Sequence, residues 1–182
     1  MTVRVVQATG RVVRDAIGLE LIVQRRLTLP AAEAWGWVTA PSRLKKWMGT
    51  LKGRADVGAT LQLTMTAEDG SPTESIEVLE CDPQRHFVVE QRSGDQIWRL
   101  RVSLAETTLR TGEASTTVFL GHRLDNARLA GEVGPGWEYY LDRLVAAVGE
   151  SPMPDFADYY PQQKPYFERL AMDGDPVGWP AS

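Results

Sequence analysis

From Gly58 to Leu124 the apolar residues keep a period of two, which a helix cannot satisfy and a half-buried strand requires. Leu61, Leu63 and Met65 fall on one side of the first such run, with Thr60, Gln62, Thr64 and Thr66 opposite. Thr73 to Cys81 and His86 to Gln91 continue the pattern. Between Ile97 and Leu104, Trp98, Leu100, Val102 and Leu104 alternate with Arg99, Arg101 and Ser103, and Ser115 to Leu124 reads as the last strand. The turns are written between them: Glu68-Asp-Gly-Ser-Pro72, Asp82–Pro83, Ser93-Gly-Asp95 and the stretch from Thr107 to Ala114. The spacing predicts an antiparallel meander with one apolar face, and that face must be covered.

One segment has the period to cover it. Trp137, Leu141, Leu144 and Val148 recur at i, i+4, i+7 and i+11, with Tyr140 beside them, before Gly149 and Pro152 stop the pattern. Asp125 or Asn126 can cap an earlier helix start, which Gly131–Gly136 is expected to interrupt. Ahead of the meander, Arg11–Arg14 reads as a short strand and Leu19–Leu29 as a longer one ended by Pro30. Ala31–Val38 has helical composition, and Pro41 opens a second short helix bearing Leu44, Trp47 and Met48, with Gly49 as its cap. The expected fold is α+β: a curved antiparallel sheet wrapped around a long C-terminal helix, with two short helices after the first strand. A sheet curled around one helix leaves a hollow between the two, which is a natural place for a ligand.

The chain has 182 residues, enough for one domain with residues to spare. We expect a domain over 1–149 and a tail over 150–182, rich in Pro and Tyr, that packs on the domain or on a partner subunit. The net charge of −4 gives no pull toward nucleic acid. Two histidines and the single Cys81 offer neither a disulfide framework nor metal-ligand spacing. No cofactor is expected, because no phosphate-binding glycine motif is present. No apolar run approaches twenty residues and the N-terminus is charged too early for a secretory leader, so a cytoplasmic protein without a membrane span is expected.

The pattern Pro30-AAEA-Trp35-GWV-Thr39-A-Pro41-SR-Leu44-KK-Trp47, then the strands, then Gly136-Trp137-EY-Tyr140-Leu141-DR-Leu144, resembles the family of activator of heat shock protein 90 ATPase homologues. That family sits in the START-like (SRPBCC, birch-pollen-allergen-like) superfamily, and the resemblance covers about residues 10–149. It implies a helix-grip fold. Family members range from small-molecule binders to enzymes and chaperone partners. The eukaryotic co-chaperone's activating N-terminal motif has no counterpart in the sequence, so heat-shock ATPase activation is not expected.

The leading reading is non-catalytic binding of a small hydrophobic molecule between sheet and helix. Leu63, Met65, Trp98, Leu100, Val118 and Leu120 would form the inner wall. Trp137 and Leu141 would form the helix side, with the Tyr140 hydroxyl orienting one polar atom. Trp35, Trp37 and Trp47 are expected in the core. A second reading, by resemblance to enzymatic relatives, is a polyketide cyclase- or dehydratase-like enzyme, which would need His122, Tyr140 or Glu138 turned inward. A third is a co-chaperone-like or regulatory interaction module, and a homodimer or a chaperone partner is compatible with it. His86 is expected to be exposed, and His122 to reach the mouth of the hollow. Glu77, Glu90, Arg99 and Arg101 are expected to form an ion-pair ladder on the outer, wet face. Period alone leaves open which strand face points inward.

Overall fold

The computed structural model describes residues 6–173; the last nine residues of the predicted tail lie outside this range. Eight strands form one antiparallel sheet: β1 Arg11–Arg14, β2 Leu19–Leu27, β3 Thr50–Lys52, β4 Thr60–Thr64, β5 Thr73–Asp82, β6 His86–Ser93, β7 Gln96–Thr108 and β8 Ala114–Leu124. Their order across the sheet is β1-β2-β8-β7-β6-β5-β4-β3. Helices α1 (Ala31–Thr39) and α2 (Pro41–Leu44) follow β2, α3 spans Leu129–Val148, and α4 spans Lys164–Asp173. This is the expected helix-grip architecture. Strand β3 is an addition: three residues on the sheet edge are too few to show a period.

Register settles the faces. Leu100 lies opposite Val89 and His122, and Val102 opposite Phe87 and Leu120, so these residues share the inner face with Leu21 and Val23 of β2. Trp98, Leu100, Val102 and Leu104 all pack toward the main core on that face. Glu90 and Arg99 are paired on the outer face, where Arg99 and Arg92 both reach the Glu90 carboxylate at 2.6 and 2.5 Å. The ladder is therefore on the expected face, but Glu90 is only 3% exposed rather than wet. The arginines bonded to it hold its carboxyl below the usual range.

The long helix begins eight residues earlier than its apolar period predicts and runs through Gly131, Gly134 and Pro135. The glycines are there for close approach. A Cβ on Gly134 would sit 2.5 Å from Cγ of Phe167, and one on Gly131 would sit 2.6 Å from Cγ of Glu168. Residues 167 and 168 belong to α4, which packs behind α3. Phe167 is fully buried there, and its ring also abuts Gly10. Gly49 likewise serves proximity, since a Cβ on it would meet the Thr64 carbonyl oxygen at 2.0 Å. The tail continues this docking: the Tyr166 hydroxyl donates to the Gly10 carbonyl at 2.8 Å, and Gln163 Nε2 donates to the Val6 carbonyl at 3.0 Å.

Candidate functional site

Helix α3 is held from the side of β1 and β2 by charge. Arg25 sits on the inner face of β2, opposite Val118, where an isolated guanidinium would be costly. Two carboxylates one helical turn apart meet it: Glu138 at 2.6 Å and Asp142 at 2.5 Å. Burial works against the Arg25 charge, but the bonds to Asp142 and Glu138 outweigh it and raise its pKa. Glu138 is wholly buried and also accepts from the backbone N–H groups of Thr9 and Gly10 at 2.5 and 2.6 Å. The Tyr159 hydroxyl donates to Asp142 at 2.8 Å. One cluster thus ties the N-terminal segment, β2, α3 and the tail together.

The helix lies over β2 and reaches β8, while α1 packs on β7 and β8 and α2 on β3. Within the β4–β7 arm, among the described residues, the inner face of β4–β6 has no helical cover of comparable extent, and α1 reaches it through Trp35 against Phe87. Leu63, Met65, Ile76, Gln91, Trp98 and Leu100 are all half-buried there. Deeper in the arm, Leu61, Val78 and Val89 form a separate buried cluster, against which Leu100 also packs. Where arm and helix meet, the side chains are aromatic. The Trp98 ring lies 4.7 Å from the His122 ring, which is 5.9 Å from Trp137, itself 6.1 Å from Tyr140. The turn after β4 closes one end, because the Tyr140 hydroxyl donates to Glu68 at 3.0 Å. Burial first, and the Glu68 carboxylate second, raise the Tyr140 pKa well above the phenol range.

His122 is 2% exposed rather than at a mouth. Its Nδ1 accepts from the Trp137 indole N–H at 3.0 Å. Burial lowers its pKa to about 4, so the ring is neutral at pH 7. Sequence spacing gave no sign of this pair, because Trp137 reaches it from a different element.

The expected site residues sort into two sets. Val118, Leu120, Trp137, Tyr140 and Leu141 are buried in the main core. Leu63, Met65, Trp98 and Leu100 are half-buried on the arm. The other tryptophans go elsewhere: Trp47 donates to the Trp37 carbonyl at 3.0 Å, Trp35 packs edge-on against Phe87, and Trp37 carries Arg43 and Lys46 over its ring. Two half-open hollows, of about 360 and about 490 Å³, lie outside the sheet–helix space. The first is lined by Thr9, Arg11 and Arg26 among others, the second by Arg14, Ile17 and Arg123 among others. Among the described residues no group of three or more metal-ligating side chains occurs, and no helix is long and apolar enough to cross a membrane.

A curved sheet gripping one long helix, with an aromatic seam between them, defines a helix-grip protein. Residues 28–149 match the family model described as activator of Hsp90 ATPase homolog 1-like protein, and the chain belongs to that family. Its fold is similar to that of CalU16 from Micromonospora echinospora, at 22% identity and a TM-score of 0.70, over 91% of this chain and 97% of that one. It is also similar to the protein encoded by BPP1335 of Bordetella parapertussis (20% identity, TM-score 0.64, 94% of each chain). DynU16, from the dynemicin biosynthetic locus, matches at 18% identity and a TM-score of 0.58, over 78% of this chain and 50% of that one. No curated protein matches the chain in sequence.

Proposed function

We propose that the protein binds a small, largely apolar molecule between the β4–β7 arm and α3, without chemistry of its own. The observation that carries this reading is the uneven cover of the sheet. Leu63, Met65, Trp98 and Leu100 stay half-buried on an inner face whose other half is sealed by α3. Apolar surface left open beside a rigid aromatic wall is what an apolar guest would bury, at roughly 25 cal/mol per Å². Flat molecules suit the Trp98 ring best. Membership of a biosynthetic locus by the structurally similar DynU16 is compatible with such a guest.

The side chains an enzyme would need favour the non-catalytic reading. Glu138 is locked in its ion cluster, Tyr140 is bonded to Glu68, and His122 is neutral with Nδ1 occupied by Trp137. Native mass spectrometry and ligand-dependent melting with a panel of fatty acids and polycyclic aromatics test the proposal. Members that bind should raise the melting temperature and change Trp fluorescence. Trp98→Ala should weaken them about tenfold while the variant still melts cooperatively. A panel without a single binder, or binding indifferent to Trp98→Ala and to Leu100→Arg, refutes it.

A further inference from the structure

Strands β1 and β2 are paired only as far as Arg11 opposite Ile22, yet β2 runs on to Leu27, so Gln24 and Arg26 stand on a stretch of β2 that β1 does not flank. Ahead of Arg11 the chain leaves the sheet, because the backbone N–H groups of Thr9 and Gly10 are drawn to Glu138 on α3. The notch between them is the hollow of about 360 Å³. Paired residues on adjacent strands share a face, as do alternate residues of one strand. Arg11, Gln24, Arg26 and Thr117 therefore all belong to the outer face, away from the space between sheet and helix. Arg25 closes the notch from the inner side, donating to the Thr9 hydroxyl at 3.0 Å and to the Gln24 carbonyl at 2.8 Å.

The lining is one-sided in charge. It holds three arginines, Gln24 and two threonines but no carboxylate, in a chain with 24 acidic against 20 basic residues. Arg25 is neutralised by Glu138 and Asp142, so the unbalanced charge comes from Arg11 and Arg26. Among the described residues neither has a carboxylate within ion-pair distance, and Arg11 reaches the Gln24 amide oxygen at a long 3.5 Å. Arginines further along the same face do take carboxylates: Arg92 and Arg99 share Glu90, and Arg123 holds Asp15. Two guanidiniums, an amide and a hydroxyl around one small hollow are a donor set for an anion with several oxygens.

We propose that this notch binds the phosphate of a phosphomonoester, with Arg11 and Arg26 clamping its oxygens and the Gln24 amide and Thr117 hydroxyl as neutral donors. A soluble ester and a lipid headgroup both present that chemistry. With a second ionisation near pH 6, a monoester carries close to two charges at about pH 7, one for each unbalanced guanidinium, where a carboxylate carries one. The notch lies across the sheet from the apolar site proposed above and stands independently of it.

Phenyl phosphate and benzoate, titrated into ¹⁵N-labelled protein, test this. Phenyl phosphate should move the resonances of Arg11, Gln24, Arg26 and Thr117 and leave those of Trp98 and Trp137 in place. It should bind about tenfold more tightly than benzoate, because its second charge meets the second guanidinium. Its affinity should rise between about pH 5 and pH 7 as its second proton leaves. Arg11→Gln and Arg26→Gln should each weaken it about tenfold, and both side chains are exposed, so the variants should melt as wild type does. Gln24→Glu, which puts a carboxylate into the notch, should abolish binding. Arg54→Gln removes the same net charge beside β3, the opposite edge of the sheet, and should change nothing. Vesicles of phosphatidylcholine with and without phosphatidic acid separate the two sources. Sedimentation with phosphatidic acid that Arg26→Gln abolishes assigns the headgroup, and phenyl phosphate binding without sedimentation assigns the soluble ester. Benzoate bound as tightly as phenyl phosphate, or shifts spread over basic residues at large, overturns the site. So do losses no greater in Arg26→Gln than in Arg54→Gln, and failure of wild-type protein to bind either phenyl phosphate or the phosphatidic acid vesicles.

Discussion

Two glycines two residues apart on α3 should respond to the same substitution with opposite signs. In Gly134→Ala the new methyl would lie 2.5, 2.6 and 2.7 Å from three ring atoms of Phe167. Carbon atoms pack at about 3.5–4.0 Å, so the ring must retreat by about 1 Å. Phe167 is fully buried and its far edge abuts Gly10, so it has no free direction. Overpacking of this kind costs about 1–3 kcal/mol, with a ceiling near the roughly 3–5 kcal/mol of losing the Phe side chain altogether. Position 134 also precedes Pro135, where a Cβ disfavours helical geometry, so that effect adds to the loss. Ala's better helix propensity returns only about 1 kcal/mol. Gly136 meets nothing within 4 Å, so Gly136→Ala keeps the propensity gain alone. Thermal melts should fall by about 3–10 °C for Gly134→Ala and rise by about 2–4 °C for Gly136→Ala. A double-mutant cycle with Phe167→Ala separates the clash from the proline effect, and its coupling should be about 1–3 kcal/mol. A Gly134→Ala protein as stable as wild type, or a cycle that is additive, would show that α4 is not seated against α3 as described.

Other perturbations address the charge cluster, the buried ring and the closing turn. Glu138→Gln should cost about 3–5 kcal/mol in urea unfolding, because Arg25 and two backbone donors lose a buried charged partner. His122 predicts an acid-side slope. Its folded pKa of about 4 lies below the unfolded value near 6.5, so the unfolded chain binds the proton first. Its contribution is complete above pH 6.5 and drains as pH falls toward 4, by about 2 kcal/mol between pH 6.5 and 5. The same titration on His122→Gln should lack that increment, and identical slopes would refute the neutral, buried ring. Tyr140→Phe should cost about 0.5–1.5 kcal/mol and speed amide exchange in the Glu68–Ser71 turn, whose bond to the helix is lost.

Much of the fold was legible because alternation and helical spacing are local. Trp98, Leu100, Val102 and Leu104 announce their shared face within seven residues. The start of α3 was not legible, because Gly131, Gly134 and Pro135 carry the same letters whether they break a helix or let another helix close on it. Only the position of Phe167, more than thirty residues on, distinguishes the two. The site divides in the same way. Its apolar wall follows from period, but the Trp137–His122 and Tyr140–Glu68 bonds join residues that no pattern pairs. The Arg25–Glu138 contact is more hidden still, since an arginine at an inward strand position reads as a register error until its partners are known.

The anchoring of α3 decides which part of this molecule can yield. Arg25 grips the helix on one side and Phe167 wedges it from behind, so it behaves as a fixed jaw. The opposing jaw is the span from β4 to β7. On the binding reading proposed above, guests of different girth would be fitted by flexing that span about its junction with β8, and changes of ligand preference would accumulate on its strands rather than on the helix.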